Sequence, residues 1–133
     1  MKIYFAGSIR GAKGNRRIYR VLIRHLRKFG EVLTEHVASG ETETSERRIY
    51  ARDLRWLQSV DVMVAEVSTP SLGVGYEIAK AESWGKKILV LCRKSDDRGL
   101  SAMVVGNPSV TVRAYDSVDE AQKQIDDFLH GFT

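Results

Sequence analysis

The sequence predicts an α/β protein in which five parallel strands form one doubly wound sheet with helices on both faces. Two observations support this prediction. Apolar runs of strand length alternate with segments of helical periodicity along the 133 residues, and no proline-rich or serine-rich linker interrupts them. Strands that alternate with helices pair in parallel through right-handed crossovers. The simplest such arrangement is the flavodoxin-like order 2-1-3-4-5, in a single domain spanning residues 1–133.

The first half of the chain supplies three predicted strands and two predicted helices. The strands are residues 2–6 (KIYFA), 31–35 (EVLTE) and 61–67 (DVMVAEV), and the third is apolar enough for a central position. A helix is predicted between Asn15, which is expected to cap it, and Gly30, which is expected to end it. The apolar residues between them fall on one helical face: Ile18, Val21, Leu22, Leu26 and Phe29. A polar loop, SGETETSE, leads to a helix from about Ser45 to Ser59.

The second half supplies two more strands and two more helices. A helix is predicted from about Val74 to Trp84, strands at 86–92 (KKILVLC) and 109–115 (SVTVRAY), and a final helix at 118–130. Residues 93–107 (RKSDDRGLSAMVVGN) are predicted to be a long loop. Its apolar members would be exposed on an isolated monomer, which indicates a surface for a partner: Leu100, Met103, Val104 and Val105.

Composition excludes several classes of protein. Every apolar run is shorter than the ~20 residues of a membrane span, and the N-terminus is too weakly apolar for a signal peptide, so we expect a cytoplasmic protein without a membrane partner. Cys92 is the single cysteine, which excludes an intrachain disulfide, and we expect it in the core. His25, His36 and His130 show no zinc spacing, so no metal is expected. No cofactor is expected either, because the sequence lacks a dinucleotide-binding fingerprint. The net charge of +4 comes without an aromatic-interleaved basic patch, so no nucleic-acid partner is expected.

Two glycine-bearing loops, GSIRG (7–11) and STPSLGVGYE (68–77), follow the first and third predicted strands. In the predicted order these strands are neighbours at the point where the winding reverses, so both loops should face one crevice. Gly73 and Gly75 lack a third glycine at Ile78, and no GxxxxGK[ST] motif occurs, which argues against a dinucleotide or a nucleoside triphosphate. A single phosphate fits better, although an ordinary turn is an equally good interpretation of the first loop; the candidate contacts are Ser8, Arg10, Ser71 and the N–H groups around Gly73.

Two carboxylates border the same crevice. Glu77 follows the two glycines in what is predicted to be the first turn of a helix, where an acidic residue also stabilises the helix dipole. Asp53 interrupts an apolar helical stripe, and a buried aspartate is rare unless it is paired or faces a site. Two carboxylates across one crevice are the equipment for cleaving a glycosidic bond. Tyr4 should be a core residue whose hydroxyl needs a partner, and His36 is either a ligand contact or a plain loop residue.

The stretches YFAGSIRG, LTEHVA, DLRWLQSVDVMVAEVSTPSLGVGYE and LSAMV resemble, in matching order, the 2'-deoxynucleoside 5'-phosphate N-hydrolases of the nucleoside 2-deoxyribosyltransferase superfamily. The resemblance covers most of the chain. It implies cleavage of the N-glycosidic bond of a deoxynucleoside monophosphate, which yields a free base and 2-deoxyribose 5-phosphate.

The resemblance also implies roles for individual residues. Glu77 corresponds to a nucleophile that forms a deoxyribosyl ester, Tyr4 to its hydrogen-bond donor, and Asp53 to the proton donor for the departing base; Tyr4 and the helix N-terminus would keep Glu77 ionised. Ser101 corresponds to a serine that reaches the phosphate in the neighbouring subunit of a homodimer. The remaining substrate contacts would be Gly7, Ser8, Ile9, Arg10, Gly11, His36, Ser71, Gly73, Gly75 and Met103.

The sequence leaves several alternatives to this hypothesis open. The loop between His36 and Asp53 is shorter than in the animal enzymes of the family, so base preference does not transfer. The tail FLHGFT lacks the asparagine with which transferases of the superfamily bind the sugar, which favours hydrolysis over transfer. A ribonucleotide N-glycosidase of the CMP type, and a non-catalytic nucleotide-binding module in which Glu77 caps a helix, are the other hypotheses.

Overall fold

The computed structural model describes residues 1–9, 15–34 and 36–131, and its centre is one five-stranded parallel sheet. The strand order, β2-β1-β3-β4-β5, confirms the predicted flavodoxin-like arrangement. In this order the strands are β1 (Lys2–Gly7), β2 (Glu31–Val32), β3 (Val62–Glu66), β4 (Lys87–Arg93) and β5 (Val110–Tyr115).

Helices connect the strands and cover both faces of the sheet. They are α1 (Arg16–Leu26), α2 (His36–Ser39), α3 (Glu46–Ser59), α4 (Leu72–Ser83), α5 (Ala102–Val105) and α6 (Val118–His130). A 3₁₀ helix, Lys94–Gly99, follows β4. A serine hydroxyl accepts a main-chain N–H at the start of four of the helices, which is the usual N-cap arrangement; these serines are Ser45, Ser71, Ser101 and Ser117.

Two hydrophobic cores lie on opposite faces of the sheet. Successive residues of a strand point to opposite faces, so Phe5 packs with α1 and α6 while Tyr4 packs with α3 and α4. Cys92 is fully buried, as predicted. The face that holds Tyr4 also receives the side chains of Leu57 and Ile78. The helices that carry Asp53 and Glu77 are therefore packed on the same face as Tyr4.

The second strand is shorter than predicted. It ends at Val32 instead of Glu35, and α2 begins at His36. The side chain of Thr34 replaces the main-chain ladder, because its hydroxyl accepts from the N–H of Phe5 at 2.8 Å and donates to the carbonyl oxygen of Phe5. A side chain that satisfies both groups of the neighbouring strand leaves the backbone free to turn into a helix.

Helix α4 begins two residues earlier than predicted. Ser71 accepts a hydrogen bond from the N–H of Val74, so the helix starts at Leu72 and contains Gly73 and Gly75. Glu77 consequently lies in the second turn, and the prediction of a first-turn glutamate was wrong. Asn15 is the N-cap residue of α1, as predicted, but its side chain makes no cap hydrogen bond and its amide instead donates to the hydroxyl of Thr69 at 2.7 Å.

The predicted long loop at 93–107 is also more ordered than expected, because it contains the 3₁₀ helix and α5. Within the described ranges, none of the helices combines the length and the apolar composition that crossing a membrane requires.

Candidate active site

A cleft of about 740 Å³ opens where β1 and β3 end, at the point where the winding direction of the sheet reverses. Its walls come from the loop after β1, from α3 and from the first two turns of α4. The two glycine-bearing loops therefore meet in one crevice, as the strand order requires. Glu77, Asp53, Ser71 and Ser8 all line this cleft.

Glu77 lines the cleft, and a hydrogen bond joins it to Tyr4, which lies beneath it in the core. The hydroxyl of Tyr4, a residue that is 1% exposed, donates a hydrogen bond to Oε2 of Glu77. Burial raises the pKa of Tyr4, and the negative charge of Glu77 adds to this effect, so the phenol keeps its proton and remains a donor. The tyrosine that was predicted to need a partner for its hydroxyl thus finds it in the carboxylate.

The pKa of Glu77 is raised to about 7, chiefly by burial and further by the charge of Asp53, while the hydrogen bond from Tyr4 acts in the opposite direction. The expectation that Tyr4 and the helix N-terminus keep Glu77 ionised is therefore corrected. The helix dipole acts mainly within the first turn, and Glu77 lies in the second. At neutral pH both the protonated and the ionised carboxyl are populated.

Asp53 lies in the middle of α3, and its side chain is 21% exposed. Its charge raises the pKa values of both Glu77 and Tyr4, so the three groups form one electrostatic unit. Arg52 Nε donates to Asp53 Oδ1 at 2.9 Å. The apolar stripe of α3 is thus interrupted by a carboxylate that faces the cleft and has a cationic neighbour on its other side.

His36 does not line the cleft. It begins α2, packs against Trp56 with ring centroids 5.8 Å apart, and places Nε2 at 3.3 Å from a guanidinium nitrogen of Arg52. Burial and the charge of Arg52 lower the pKa of His36, which favours the neutral imidazole. His36 therefore contacts side chains of α3, the helix that forms one wall of the cleft, without lining the cleft itself.

The start of α4 forms one end of the cleft. The first N–H groups of a helix have no partner within the helix, and here they include those of Leu72 and Gly73. Gly75 is already engaged, since its N–H donates to the carbonyl oxygen of Ser71 at 3.1 Å. The structure therefore places Gly73 and Ser71 at the cleft, whereas Gly75 lines a different surface.

The loop after β1 contributes Gly7, Ser8 and Ile9 to the cleft. A Cβ atom at Gly7 would approach the ring of Tyr19 to 2.6 Å, so the protein's own packing requires a glycine at this position. Ser8 is 4% exposed. Arg10 and Gly11, which were predicted to contact the substrate, lie outside the described residues.

A second surface depression, here called the groove, lies on the other side of α4. It has a volume of about 610 Å³ and a largely apolar lining that includes Leu72, Ile78, Leu100, Ser101, Met103 and Val104. Ser101 and Met103 belong to this groove and not to the cleft of their own chain. Of the four apolar residues predicted to be exposed, Met103 and Val105 are, whereas Leu100 and Val104 are half-buried and Val104 packs on the core.

Sequence reasoning missed several residues of the cleft. Tyr50 and Tyr76 stand at its rim with their hydroxyls 3.2 Å apart, and Glu41 enters from the loop before α3. The signal for the two tyrosines was their position one turn from Asp53 and beside Glu77 on the predicted helices. Glu41 gave no signal, because it is one of several acidic residues in a polar loop.

A doubly wound parallel sheet with two carboxylates in the cleft at its reversal point is an arrangement suited to cleaving glycosidic bonds. The sequence model of the nucleoside 2-deoxyribosyltransferase family matches residues 3–124 of this chain. The chain belongs to this family.

Relatives named as nucleotide hydrolases are similar over nearly the whole chain. A 5-hydroxymethyl-dUMP N-hydrolase of Mus musculus is 42% identical over 98% of this chain and 78% of its own length. One of Tetraodon nigroviridis is 45% identical over 97% of each chain. A candidate 2'-deoxynucleoside 5'-phosphate N-hydrolase 1 of Syntrophotalea carbinolica is 44% identical over 97% of this chain and 94% of its own.

Solved structures share the fold at low sequence identity. The CMP N-glycosidase BcmB of Clostridium botulinum superposes with a TM-score of 0.70 at 19% identity, over 97% of this chain and 100% of its own. A 2-desoxiribosyltransferase from Leishmania mexicana gives a TM-score of 0.58 at 19% identity, over 94% and 95% of the two chains. At this level of identity the likeness concerns the fold.

Proposed function

We propose that the protein hydrolyses the N-glycosidic bond of 2'-deoxynucleoside 5'-monophosphates and releases a free base and 2-deoxyribose 5-phosphate. The observation that supports this most is the hydrogen bond from Tyr4 to Glu77 beside Asp53 in one cleft. The names of the animal and bacterial relatives indicate the same reaction. A cytoplasmic location accords with such a substrate.

In the first half of the reaction, an ionised oxygen of Glu77 forms a bond to C1' of the sugar. The bond between C1' and the base nitrogen breaks, its electron pair goes to the base, and Asp53 donates the proton that the base takes up. The product on the protein is a deoxyribosyl 5-phosphate ester of Glu77. Retaining glycosidases use the same arrangement, in which one carboxylate attacks the sugar and a second carboxyl group protonates the leaving group.

In the second half, a water oxygen bonds to C1' while Asp53, now a carboxylate, takes the water's proton. The ester bond breaks, and its electron pair returns to Glu77. Tyr4 supports both steps because its hydroxyl stays protonated and donates to the carboxylate as charge leaves and returns.

The phosphate would lie at the start of α4. Ser71 and the N–H groups of Leu72 and Gly73 supply the anion contacts, Ser8 borders them, and Arg10 and Gly11 would add to them from the neighbouring loop. Outside its own helix turn, the described residues place no atom closer than 3.9 Å to a Cβ atom at Gly73, so the glycine leaves room beside the helix N-terminus. Binding at the phosphate would position C1' against Glu77.

The working unit in this proposal is a homodimer with shared sites. Leu72 is 97% exposed and Met103 83%, and both border the groove on the far side of α4 from the cleft. A second copy of the chain packed on the groove would cover these side chains and bring Ser101 of one chain toward the helix N-terminus of the other. Gly75 lines this groove, and outside its own helix turn the part of the chain that the structure describes has no atom within 4 Å of a Cβ at this position, which allows a second chain to approach closely.

Incubation of the purified protein with each deoxynucleoside monophosphate, with CMP and with the matching deoxynucleosides tests the proposal, with free base measured by chromatography. We expect release of base from at least one deoxynucleotide, more slowly from CMP, and none with a Glu77→Gln variant that remains folded. Release of base from CMP alone would replace the proposal with a ribonucleotide N-glycosidase. Absence of base from every nucleotide would indicate the non-catalytic module.

A further inference from the structure

Three side chains form a continuous polar chain from the loop before α3 to the cleft. The guanidinium of Arg52 donates through Nε to Oδ1 of Asp53 at 2.9 Å, and through its two terminal nitrogens to the two carboxylate oxygens of Glu41, one of them at 3.1 Å. The exposed fractions of the side chains are 20% for Arg52, 15% for Glu41 and 21% for Asp53. Solvent screens such partly buried charges less than it screens surface ion pairs.

The orientation of Arg52 is fixed independently of Asp53. Its guanidinium carbon lies 4.8 Å from the ring centroid of Trp56, and one terminal nitrogen lies 3.3 Å from Nε2 of His36. Glu41 in turn accepts from the main-chain N–H groups of Thr42 and Glu43 at 3.0 Å each. Because Glu41, His36 and Trp56 hold the guanidinium, Arg52 is a rigid donor. The position of Arg52 therefore sets the orientation of the Asp53 carboxyl group.

This arrangement distinguishes the two oxygens of Asp53. Oδ1 accepts the hydrogen bond from Arg52, whereas Oδ2 accepts none from the residues that the structure describes. A proton on the carboxyl group therefore belongs on Oδ2, and Asp53 lines the cleft. When that proton leaves, the negative charge that develops on the carboxylate lies beside a fixed cation, which favours the transfer.

We propose that Arg52, held by Glu41, is a positioning residue that directs the acidic proton of Asp53 toward the departing base and stabilises the carboxylate formed when the base takes it. The proposal rests on the proposed N-glycosidic cleavage. It assigns a function to the short loop before α3, because that loop supplies the carboxylate that fixes Arg52.

The proposal predicts a dependence on the leaving group. A base that departs easily as an anion needs little help from an acid, whereas a poor leaving group needs the proton. Replacing Arg52 should therefore slow the hydrolysis of dUMP more than that of 5-fluoro-dUMP, whose base has the same shape but is more acidic. A loss of general packing would slow both reactions alike.

The experiment compares kcat and KM for dUMP and 5-fluoro-dUMP in the parent protein and in three variants. Arg52→Met keeps the stem on Trp56 and removes every donor, Arg52→Lys keeps the cation, and Arg55→Met, at an exposed position one turn further along α3, is the matched control. For Arg52→Met we expect kcat with dUMP to fall at least about tenfold more than kcat with 5-fluoro-dUMP, with little change in KM. Arg52→Lys should recover part of the loss, and Arg55→Met should behave as the parent.

Equal losses for the two nucleotides in Arg52→Met, or no loss for either, would overturn the positioning role. Glu41→Gln offers a second route if Arg52→Met does not fold, since it weakens the hold on Arg52 and should show the same split at smaller amplitude. A parent protein that releases base from neither of these nucleotides, nor from any other deoxynucleoside monophosphate, would instead contradict the proposed function before any variant is considered. The two failures are therefore distinguishable.

Discussion

Tyr4 and Glu77 are 73 positions apart in the sequence, yet the hydroxyl of Tyr4 donates directly to the Glu77 carboxylate. The contact exists because β1 and β3 are neighbours in the sheet and α4 returns across the face to which Tyr4 points. It joins the chemistry of the cleft to the topology of the fold.

The activity should depend on the ionisation of Glu77. In the proposed mechanism Glu77 acts as the carboxylate, and its pKa is raised to about 7, so kcat/KM should fall about tenfold per pH unit below that value. The hydrogen bond from Tyr4 lowers this pKa, and a Tyr4→Phe variant should therefore shift the acidic limb of the profile to higher pH. Rates measured from pH 5 to 9 check this, and a limb that stays in place or moves to lower pH would contradict it.

The same pKa predicts an effect on stability. The folded-state pKa of Glu77, about 7, lies above its ordinary value of 4.5, so the native state binds more protons than the unfolded state between these values. Stability attributable to Glu77 is then fully present below pH 4.5 and is lost as the pH rises through 7. At ~1.4 kcal/mol per pH unit, the penalty above pH 7 is about 3 kcal/mol.

A Glu77→Gln variant should escape this penalty. It should be more stable than the parent at pH 8 and show no such advantage at pH 4, as measured by urea unfolding at both values. Glu82→Gln, at an exposed position of the same helix, is the control and should change little at either pH. A Glu77→Gln advantage of the same size at both pH values would mean that ionisation is not its cause.

The phosphate should contribute to the rate as well as to binding. If contacts at the start of α4 position C1' against Glu77, a deoxynucleoside should be hydrolysed at least about a hundredfold less efficiently than its 5'-monophosphate. Ser71→Ala should reduce this discrimination. Because Ser71 also caps α4, Ser117→Ala, which removes the equivalent cap from α6, controls for the loss of a cap alone. Equal efficiencies with and without the phosphate would remove Ser71 and Ser8 from the site.

The shared site can be tested by mixing inactive chains. Glu77→Ala and Ser101→Ala chains, each impaired alone, should regain activity together, up to about a quarter of the parent value, because one site of each mixed dimer has both residues. Glu77→Ala mixed with Asp53→Ala is the control, since both residues belong to one chain's cleft and no mixed site is complete. Recovery in neither mixture, or a fully active monomer by light scattering, would contradict the shared site.

The sequence predicted the elements whose cause is local. Alternating strands and helices lead to the observed strand order because right-handed crossovers leave few alternatives. The early start of α4 was missed because Gly73 and Gly75 lower helix propensity, although Ser71 was present as a cap. The end of β2 depends on a side-chain contact from Thr34 to the neighbouring strand, which periodicity does not reveal.

Some features of the candidate site were predictable from the sequence, whereas others depend on contacts between distant segments. Glu77 and Asp53 were predicted as a pair because each is a carboxylate in an unusual position, and the strand order brings their helices together. The raised pKa of Glu77 depends on how deeply the side chain is buried, which no local pattern states. The link from Glu41 through Arg52 to Asp53 joins a loop to a helix, and the sequence shows only an acidic residue in the loop and a basic residue on α3.

The central claim is that Glu77 forms a covalent bond with the sugar. An Asp53→Ala variant mixed with 5-fluoro-dUMP should accumulate the ester, because a good leaving group departs without an acid while the water that hydrolyses the ester lacks its base. Intact-protein mass spectrometry after rapid quenching should then show the added mass of one deoxyribosyl 5-phosphate, mapped to the peptide that contains Glu77 and absent from a variant that also carries Glu77→Gln. A full equivalent of free 5-fluorouracil released in the first turnover without any such adduct would contradict the claim and indicate direct attack by water.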